Sequence, residues 1–378
     1  MPESITRQAG SPLTVVWQSR WGLPIGYAIS SEAIALELDD LGVELVHRPT
    51  PWHMPGQITH PVLRAAGERP MRDDVPQVSY DQADLFFFDH PGYKIGFTML
   101  EVDGLPADWV AACNQMNEVW TPSHWGADVF AASGVQRPIH VMPLGYDPAR
   151  FHPDVPSRPL PGRFTFLSVF EWGERKAPEM LLRAYGQTFT RRDDVLLLLR
   201  VNNFDATIDV GRQIADLRLP LDAAPIALIY NQQLAADQLG SLYRSANCFV
   251  LPTRGEGWGI PILEAMACGL PVIATNWSAQ TEFLTDDTAY PLAVRQLIPA
   301  VAKCPYYAGW RWADPDIEHL GYLMRYVYEH QDEAYARGRH AADVVSRQWT
   351  WRHAAERIVR RLRSYGEESV RWQRQRDG

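Results

Sequence analysis

An apolar run, Cys248 to Leu251, leads through Pro-Thr-Arg-Gly-Glu-Gly-Trp-Gly into a helical pattern and then a second apolar run, Val272 to Ala274. That order reads as strand, glycine loop, helix, strand, one unit of a parallel α/β sheet. Glu256 and Glu264 are separated by seven residues, with Gly257, Gly259 and Pro261 between them. Glycines let backbone N–H groups approach a ligand closely at a helix N-terminus. Pro261 suits the first helical turn, where its missing N–H costs little. Glu264 falls among Ile260, Leu263, Met266 and Ala267. A carboxylate in that stripe is expensive to bury without a partner. Helical side chains lean toward the helix N-terminus, so Glu264 leans back toward the glycine loop. Glu256 enters the same space from the strand end. Two carboxylates and a row of N–H donors therefore meet where a polyhydroxylated, phosphorylated ligand can bind.

This stretch resembles the E-x7-E signature of the retaining glycosyltransferases of family 4, which have the GT-B fold. The similarity runs through the helix into Pro-Val-Ile-Ala-Thr, ending at Thr275. Three other stretches are similar to the family or to a subgroup of it. Pro143 to Pro153 has the end-of-domain pattern of a glycine, an aspartate and Phe-x-Pro. Thr98 to Ser123 looks like a subgroup phrase, and Tyr306 to Asp316 resembles an aromatic Trp-Ala-Glu-Pro-Asp element of that subgroup. The resemblance implies two Rossmann-like domains facing across a cleft, with a C-terminal helix that returns to the N-terminal domain. It implies transfer of a hexose-type sugar from a nucleotide-diphosphate sugar to an acceptor hydroxyl, with retention of anomeric configuration. Two rival readings share the architecture: a nucleotide-sugar epimerase or phosphorylase, and a non-catalytic sugar-binding protein.

A chain of 378 residues is too long for one ordinary core and suits two domains. Hydrophobic residues at 46% and charged residues at 21% are globular values. No apolar run is long enough to span a bilayer, and the opening Met-Pro-Glu-Ser lacks a signal-peptide pattern. Cys113, Cys248, Cys268 and Cys304 show no metal-ligand spacing and read as reduced thiols of a cytoplasmic protein. Attachment to the inner face of a membrane is left open. The formal charge of −9 is uneven, with about ten basic and about nineteen acidic residues among the first 160. That acidity argues against a nucleic-acid surface on the first domain. Oligomeric state, donor base and acceptor are not legible.

The opening reads as a strand at Leu13–Trp17, the loop Arg20–Gly26, a helix from Tyr27 to Leu41 and a strand at Val43–Val46. Gly22 and Gly26 make that loop a candidate acceptor or phosphate loop. Residues 48–82 read as a long loop region with short elements, followed by strands at Asp84–Phe88 and Ile95–Leu100. Ser123 is expected to cap a helix ending near Ala132. Prolines from His152 to Arg163 mark a linker. The second half alternates strands and helices without hairpin signals, including a helix at Ala235–Ala246, which implies a parallel sheet. The expected divisions are residues 1–157 for the acceptor, 158–345 for the nucleotide sugar, and 346–378 as the returning helix.

Departure of a nucleoside diphosphate needs fixed positive charge beside it. Arg175 and Lys176 lie in the loop after the first strand of the second half. Lys176 matches the family's loop lysine. The family's arginine position falls near Glu171, so Arg175 stands as its substitute. Carried over from the motif, Glu264 accepts from the ribose hydroxyls, and Glu256 faces the transferred sugar. The N–H groups of Gly257, Trp258, Gly259 and Ile260 contact sugar or phosphate. The family often places a histidine at a strand end of the first domain. Here that place falls near Thr98 to Glu101, which makes Glu101 the nearest candidate and His90 a second. Asp314-Pro-Asp316 looks like a DxD metal motif, but proline restricts the pair and the segment matches the aromatic element. No cofactor and no metal are expected.

Overall fold

A computed structural model describes residues 13–158, 162–203, 205–232, 234, 236–301 and 304–376, the side chains of 236 and 366–376 excepted. The opening Met-Pro-Glu-Ser, the centre of the linker, the expected helix start at Ala235 and the last two residues lie outside the described residues. The first half runs β1 (Thr14–Ser19), α1 (Gly26–Asp40), β2 (Glu44–Pro49), α2 (Pro61–Glu68), β3 (Gln77–Tyr80) and β4 (Lys94–Phe97). It continues with α3 (Ala107–Asn114), β5 (Glu118–Thr121), α4 (His124–Ala132) and β6 (Ile139–Val141). Its six strands form one parallel sheet in the order β2-β1-β3-β4-β5-β6. All six residues of β1 are buried, as expected of a parallel strand covered on both faces. Ser123 caps α4 by accepting from the Gly126 N–H.

The second half runs β7 (Phe164–Glu171), α5 (Pro178–Thr188), β8 (Val195–Asn202), α6 (Val210–Asp216), β9 (Ile226–Tyr230) and α7 (Ala236–Arg244). Then follow β10 (Cys248–Leu251), α8 (Ile260–Ala267), β11 (Val272–Thr275), β12 (Tyr290–Leu292), β13 (Val294–Pro299) and β14 (Arg311–Pro315). Three helices close the chain: α9 (Ile317–Glu329), α10 (Gln331–Ser346) and α11 (Trp351–Arg376). The second sheet, β12-β11-β10-β7-β8-β9, is again parallel throughout. The arginine-rich α11 packs on α1 of the first half. Arg361 meets buried Glu118 on β5 at 2.6 Å, and Tyr365 stacks on Tyr93. Arg352 pairs with Glu37 at 3.4 Å and also with Asp40.

Two expectations fail. The strand expected at Asp84–Phe88 is a 3-10 turn followed by extended chain, and β3 lies earlier, inside the supposed loop. Buried amides explain the exchange. The Gln18 side chain donates to the Leu85 carbonyl and accepts from the Phe87 N–H, while Gln77 donates to the Phe87 carbonyl. These side chains satisfy the 85–87 backbone in place of a strand ladder. The strand that does form is half polar, Gln-Val-Ser-Tyr, and fully buried. The second miss is the antiparallel hairpin β13–β14, which the absence of a short turn signal conceals. Its two strands are joined by an eleven-residue segment, 300–310.

Candidate active site

In an open parallel sheet, ligands bind beyond the carboxyl ends of the strands where the strand order reverses. In the second sheet that point lies between β7 and β10. The loops leaving these two strands carry the candidate residues: Arg175 and Lys176 after β7, and Glu256 after β10. Ala177, between Lys176 and α5, is left-handed at φ 48°. That costs an L-residue on the order of 1–3 kcal/mol and breaks the 3-10 turn from the helix. Lys176 is left buried at the carboxyl end of the central strands, with 8% of its surface exposed.

Lys176 Nζ lies 2.5 Å from Glu256 Oε1, and Arg175 Nη1 lies 3.3 Å from Glu256 Oε2. Arg175 also donates to the Gly255 carbonyl at 2.7 Å. Burial alone would raise the Glu256 pKa, but Lys176 and then Arg175 outweigh it and hold the carboxyl below its ordinary value. Burial lowers Lys176, opposed by Glu256 and assisted by Arg175. Arg175 is pushed down by burial but raised on balance by Glu101, Tyr307 and Glu256. The Glu256 N–H donates to Ser278 Oγ at 2.9 Å, and Ser278 itself takes φ 68°. The site is thus a buried, fixed cluster of charge.

Glu264 sits one turn inside α8, and Tyr243 OH donates to its Oε2 at 3.0 Å. Burial raises its pKa to about 8, with Tyr243, Arg150 and Arg200 opposing. This carboxyl is therefore poised near neutrality, unlike Glu256. Two acids separated by seven residues have opposite tendencies because Glu256 is in direct ion pairs with Lys176 and Arg175, while Arg150 and Arg200 act on Glu264 too weakly to offset burial.

The glycines do more than clear a path for N–H groups. A Cβ on Gly255 would strike the carbonyl of Glu101, and one on Gly257 would lie 2.7 Å from Met99 Cγ. Both glycines are needed for the close approach of the two halves. Gly259, at φ 98°, caps α8 and can take that conformation only cheaply as glycine. Trp258 turns its side chain into the core against Phe283 and Trp349, so only its backbone remains for a ligand. Ile260 opens α8, where the first N–H groups of a helix lack intrahelical partners.

Glu101 follows β4 and reaches the second half. Its Oε2 accepts from Tyr307 OH at 2.7 Å, and its Oε1 lies 3.7 Å from Arg175 Nη2. Tyr27 of α1 fixes the segment before it, bonding both the N–H and the carbonyl of Met99. His90 is misplaced for chemistry. It precedes β4, and its Nε2 sits 2.7 Å from the Val75 carbonyl just before β3. That is the amino end of the sheet, opposite Glu101. Gly22 is also closed to a ligand. Its N–H donates to Glu32 at 2.6 Å and the Met54 carbonyl covers its Cα. Gly26 stands exposed at the start of α1. Tyr243, Ser278, Tyr27 and Tyr307 were not singled out from the sequence. Only Tyr307 carried a signal, being in the aromatic element.

Asp314 faces Arg254 at 3.6 Å, and Asp316 caps α9 through the Glu318 and His319 N–H groups. Among the described residues no cluster of three or more His, Cys, Asp or Glu side chains has the makings of a metal site. A separate groove of about 820 Å³ lies between the linker, with Arg150, His152 and Arg158, and α7, with Gln238, Ser241 and Leu242. It includes none of the charged cluster. No helix among the described residues is long and apolar enough to cross a membrane.

Residues 161–303 match the family model of the glycosyl transferases group 1. The chain is 29% identical over 269 residues to a D-inositol 3-phosphate glycosyltransferase of Paenarthrobacter aurescens, covering 69% of this chain and 57% of that protein. It is 27% identical to a GDP-mannose-dependent alpha-(1-6)-phosphatidylinositol monomannoside mannosyltransferase of Mycolicibacterium smegmatis, covering 59% of this chain and 63% of the relative. It therefore spans less than two thirds of either relative. Among solved structures it is similar to a sucrose-phosphate synthase of Thermosynechococcus elongatus, with TM-score 0.69, 15% identity, and 94% of this chain and 100% of that one covered. It is likewise similar to the Anabaena HepE protein in complex with UDP-glucose, with TM-score 0.67, 13% identity, and 93% and 100% covered. Two parallel sheets, the charged loop pair at the second sheet's reversal point and the group 1 match over that half converge. The chain has the GT-B fold, and its second half matches the glycosyl transferases group 1 family.

Proposed function

We propose that the protein transfers a hexose-type sugar from a nucleotide-diphosphate sugar to an acceptor hydroxyl, retaining the anomeric configuration. The observation that carries this reading is the Arg175–Lys176–Glu256 cluster at the reversal point of the second sheet, with Glu264 one turn along α8. Two cations already oriented by Glu256 meet the diphosphate of the donor, and they gain most as its leaving charge grows. Glu264 accepts from the ribose hydroxyls, as an ionised carboxylate is acceptor-only. Glu256 and the N–H groups at Gly257, Trp258, Gly259 and Ile260 face the sugar. Glu101 faces the same space from the first half, which takes the acceptor. The relatives' names, as glycosyltransferases and mannosyltransferase, support the reaction class.

No cofactor and no metal are required in this account, because Lys176, Arg175 and the N-terminus of α8 supply the positive field a cation would supply. The test is proton NMR of nucleotide-sugar turnover with a panel of hydroxyl acceptors. An axial donor should give an axial product with an unchanged anomeric coupling. A product of the opposite configuration would refute retention. Consumption of donor without acceptor, giving an isomeric nucleotide sugar, would refute transfer.

A further inference from the structure

The β13–β14 hairpin belongs to the second half, yet the segment it carries docks on the first. Asp103 bonds the Arg311 N–H at 2.6 Å and its Nε at 2.8 Å, while the Asp103 N–H donates to the Arg311 carbonyl at 3.0 Å. Tyr306 OH donates to Asp84 at 2.9 Å, and its ring packs on Trp109 of α3. Trp310 lies flat over Gly104, where a Cβ would collide with its ring. Trp312 is 2% exposed in an apolar cluster with Leu100, Val102, Leu105 and Trp109 of the first half. These contacts make a clasp over the cleft.

The clasp delivers Tyr307 to Glu101. Tyr307 OH donates to Glu101 Oε2 at 2.7 Å, while Glu101 Oε1 faces Arg175 at 3.7 Å. Arg175 in turn reaches Glu256 and the Gly255 carbonyl. Burial, and then Glu101, push the Tyr307 phenol well above its ordinary pKa, so it stays a donor. Without that bond, Glu101 is a partly exposed loop carboxylate whose remaining partner is Arg175 at 3.7 Å. With it, the carboxylate has one orientation, and Arg175 is held between two acids contributed by opposite halves.

We propose that Tyr307 is a positioning residue of the site: its hydroxyl fixes Glu101 against Arg175, so that the guanidinium is set beside Glu256 and Lys176 only while the β13–β14 clasp is docked on the first half. This rests on the donor reading given above. It makes docking of the clasp a condition of a competent diphosphate site.

The test uses the full chain, with Tyr307→Phe, Glu101→Gln, the double variant and Trp310→Ala, read by donor turnover and by amide hydrogen exchange. Losing one hydrogen bond to a charged group corresponds to about ten- to a hundredfold. Tyr307→Phe should lower kcat by that factor, with the donor KM within about twofold and hairpin exchange unchanged. The double variant should be no slower than Glu101→Gln alone. A kcat within about twofold of wild type in Tyr307→Phe, or losses that multiply in the double variant, would overturn the proposal. So would faster exchange in Tyr307→Phe across residues 99–105, which would make the hydroxyl merely structural. Trp310→Ala should accelerate exchange at 99–105 and lower kcat together, and unchanged exchange there would overturn the clasp. Should wild type consume no nucleotide sugar at all, the donor reading fails, and the clasp stands or falls on the Trp310→Ala exchange alone.

Discussion

Glu264 offers a pH test with a definite sign. Its carboxyl is raised to about 8 by burial in the ligand-free protein, with Tyr243 donating to one oxygen. A ribose diol presents two donors, and only the ionised carboxylate can accept both. Binding then favours the deprotonated form and lowers its pKa. Below about pH 8 the ligand must expel a proton, so affinity should fall toward tenfold per pH unit on the acid side and level off above 8. The assay is calorimetry with a nucleotide sugar, whose diphosphate diester does not titrate in this range, in two buffers of different ionisation heat. Proton release should be seen near pH 7 and vanish above pH 9. Glu264→Gln should bind about ten- to a hundredfold more weakly at pH 9 and show a flat pH profile. A flat wild-type profile, proton uptake on binding, or unchanged affinity in Glu264→Gln would refute the ribose role.

Four further outcomes follow from the same geometry. Lys176→Ala should lower kcat more than it raises the donor KM, because the charge it faces grows in the transition state; equal loss in binding and in kcat/KM would reduce it to uniform binding. Turnover should survive excess chelator, and loss that manganese or magnesium restores would overturn the cation-free account. Gly257→Ala places a Cβ 2.7 Å from Met99 Cγ, so it should cost turnover while the second half still binds nucleotide; calorimetry showing full affinity with normal kcat would mean the two halves need not meet there. Arg361→Met removes the guanidinium from buried Glu118, leaving His140 at 3.6 Å as the nearby ionisable base, and should cost about 3 kcal/mol in denaturant unfolding above the histidine's titration range. An unchanged midpoint would mean that Tyr93, Trp120 and His140 suffice for Glu118.

The second half was legible because its apolar runs are long and its glycine loop is local. β10 spans Cys248–Leu251, where the sequence places it. The first half hides its third strand because buried glutamines substitute for ladder bonds, which no periodicity reports. At the site, the sequence places Lys176 and Glu256 on separate loops of the second half, and the parallel pairing of β7 with β10 joins them. Tyr243 was out of reach because its contact with Glu264 spans a helix-to-helix packing that sequence spacing does not encode. His90 misled because a histidine before Pro-Gly looks alike at either end of a strand, and here it is at the amino end. The sequence reads Gly257 as room for a ligand; the structure adds that Met99 packs against it, and that Gly255, which the sequence does not single out, meets the Glu101 carbonyl.

The most direct measurement is a crystal structure of the protein soaked with an intact nucleotide sugar. The account requires the diphosphate within hydrogen-bond reach of Lys176 and the N-terminus of α8, the ribose on Glu264, and the sugar between Glu256 and Glu101. Ligand density in the groove between the linker and α7, with the Lys176–Glu256 pair undisturbed, would contradict it.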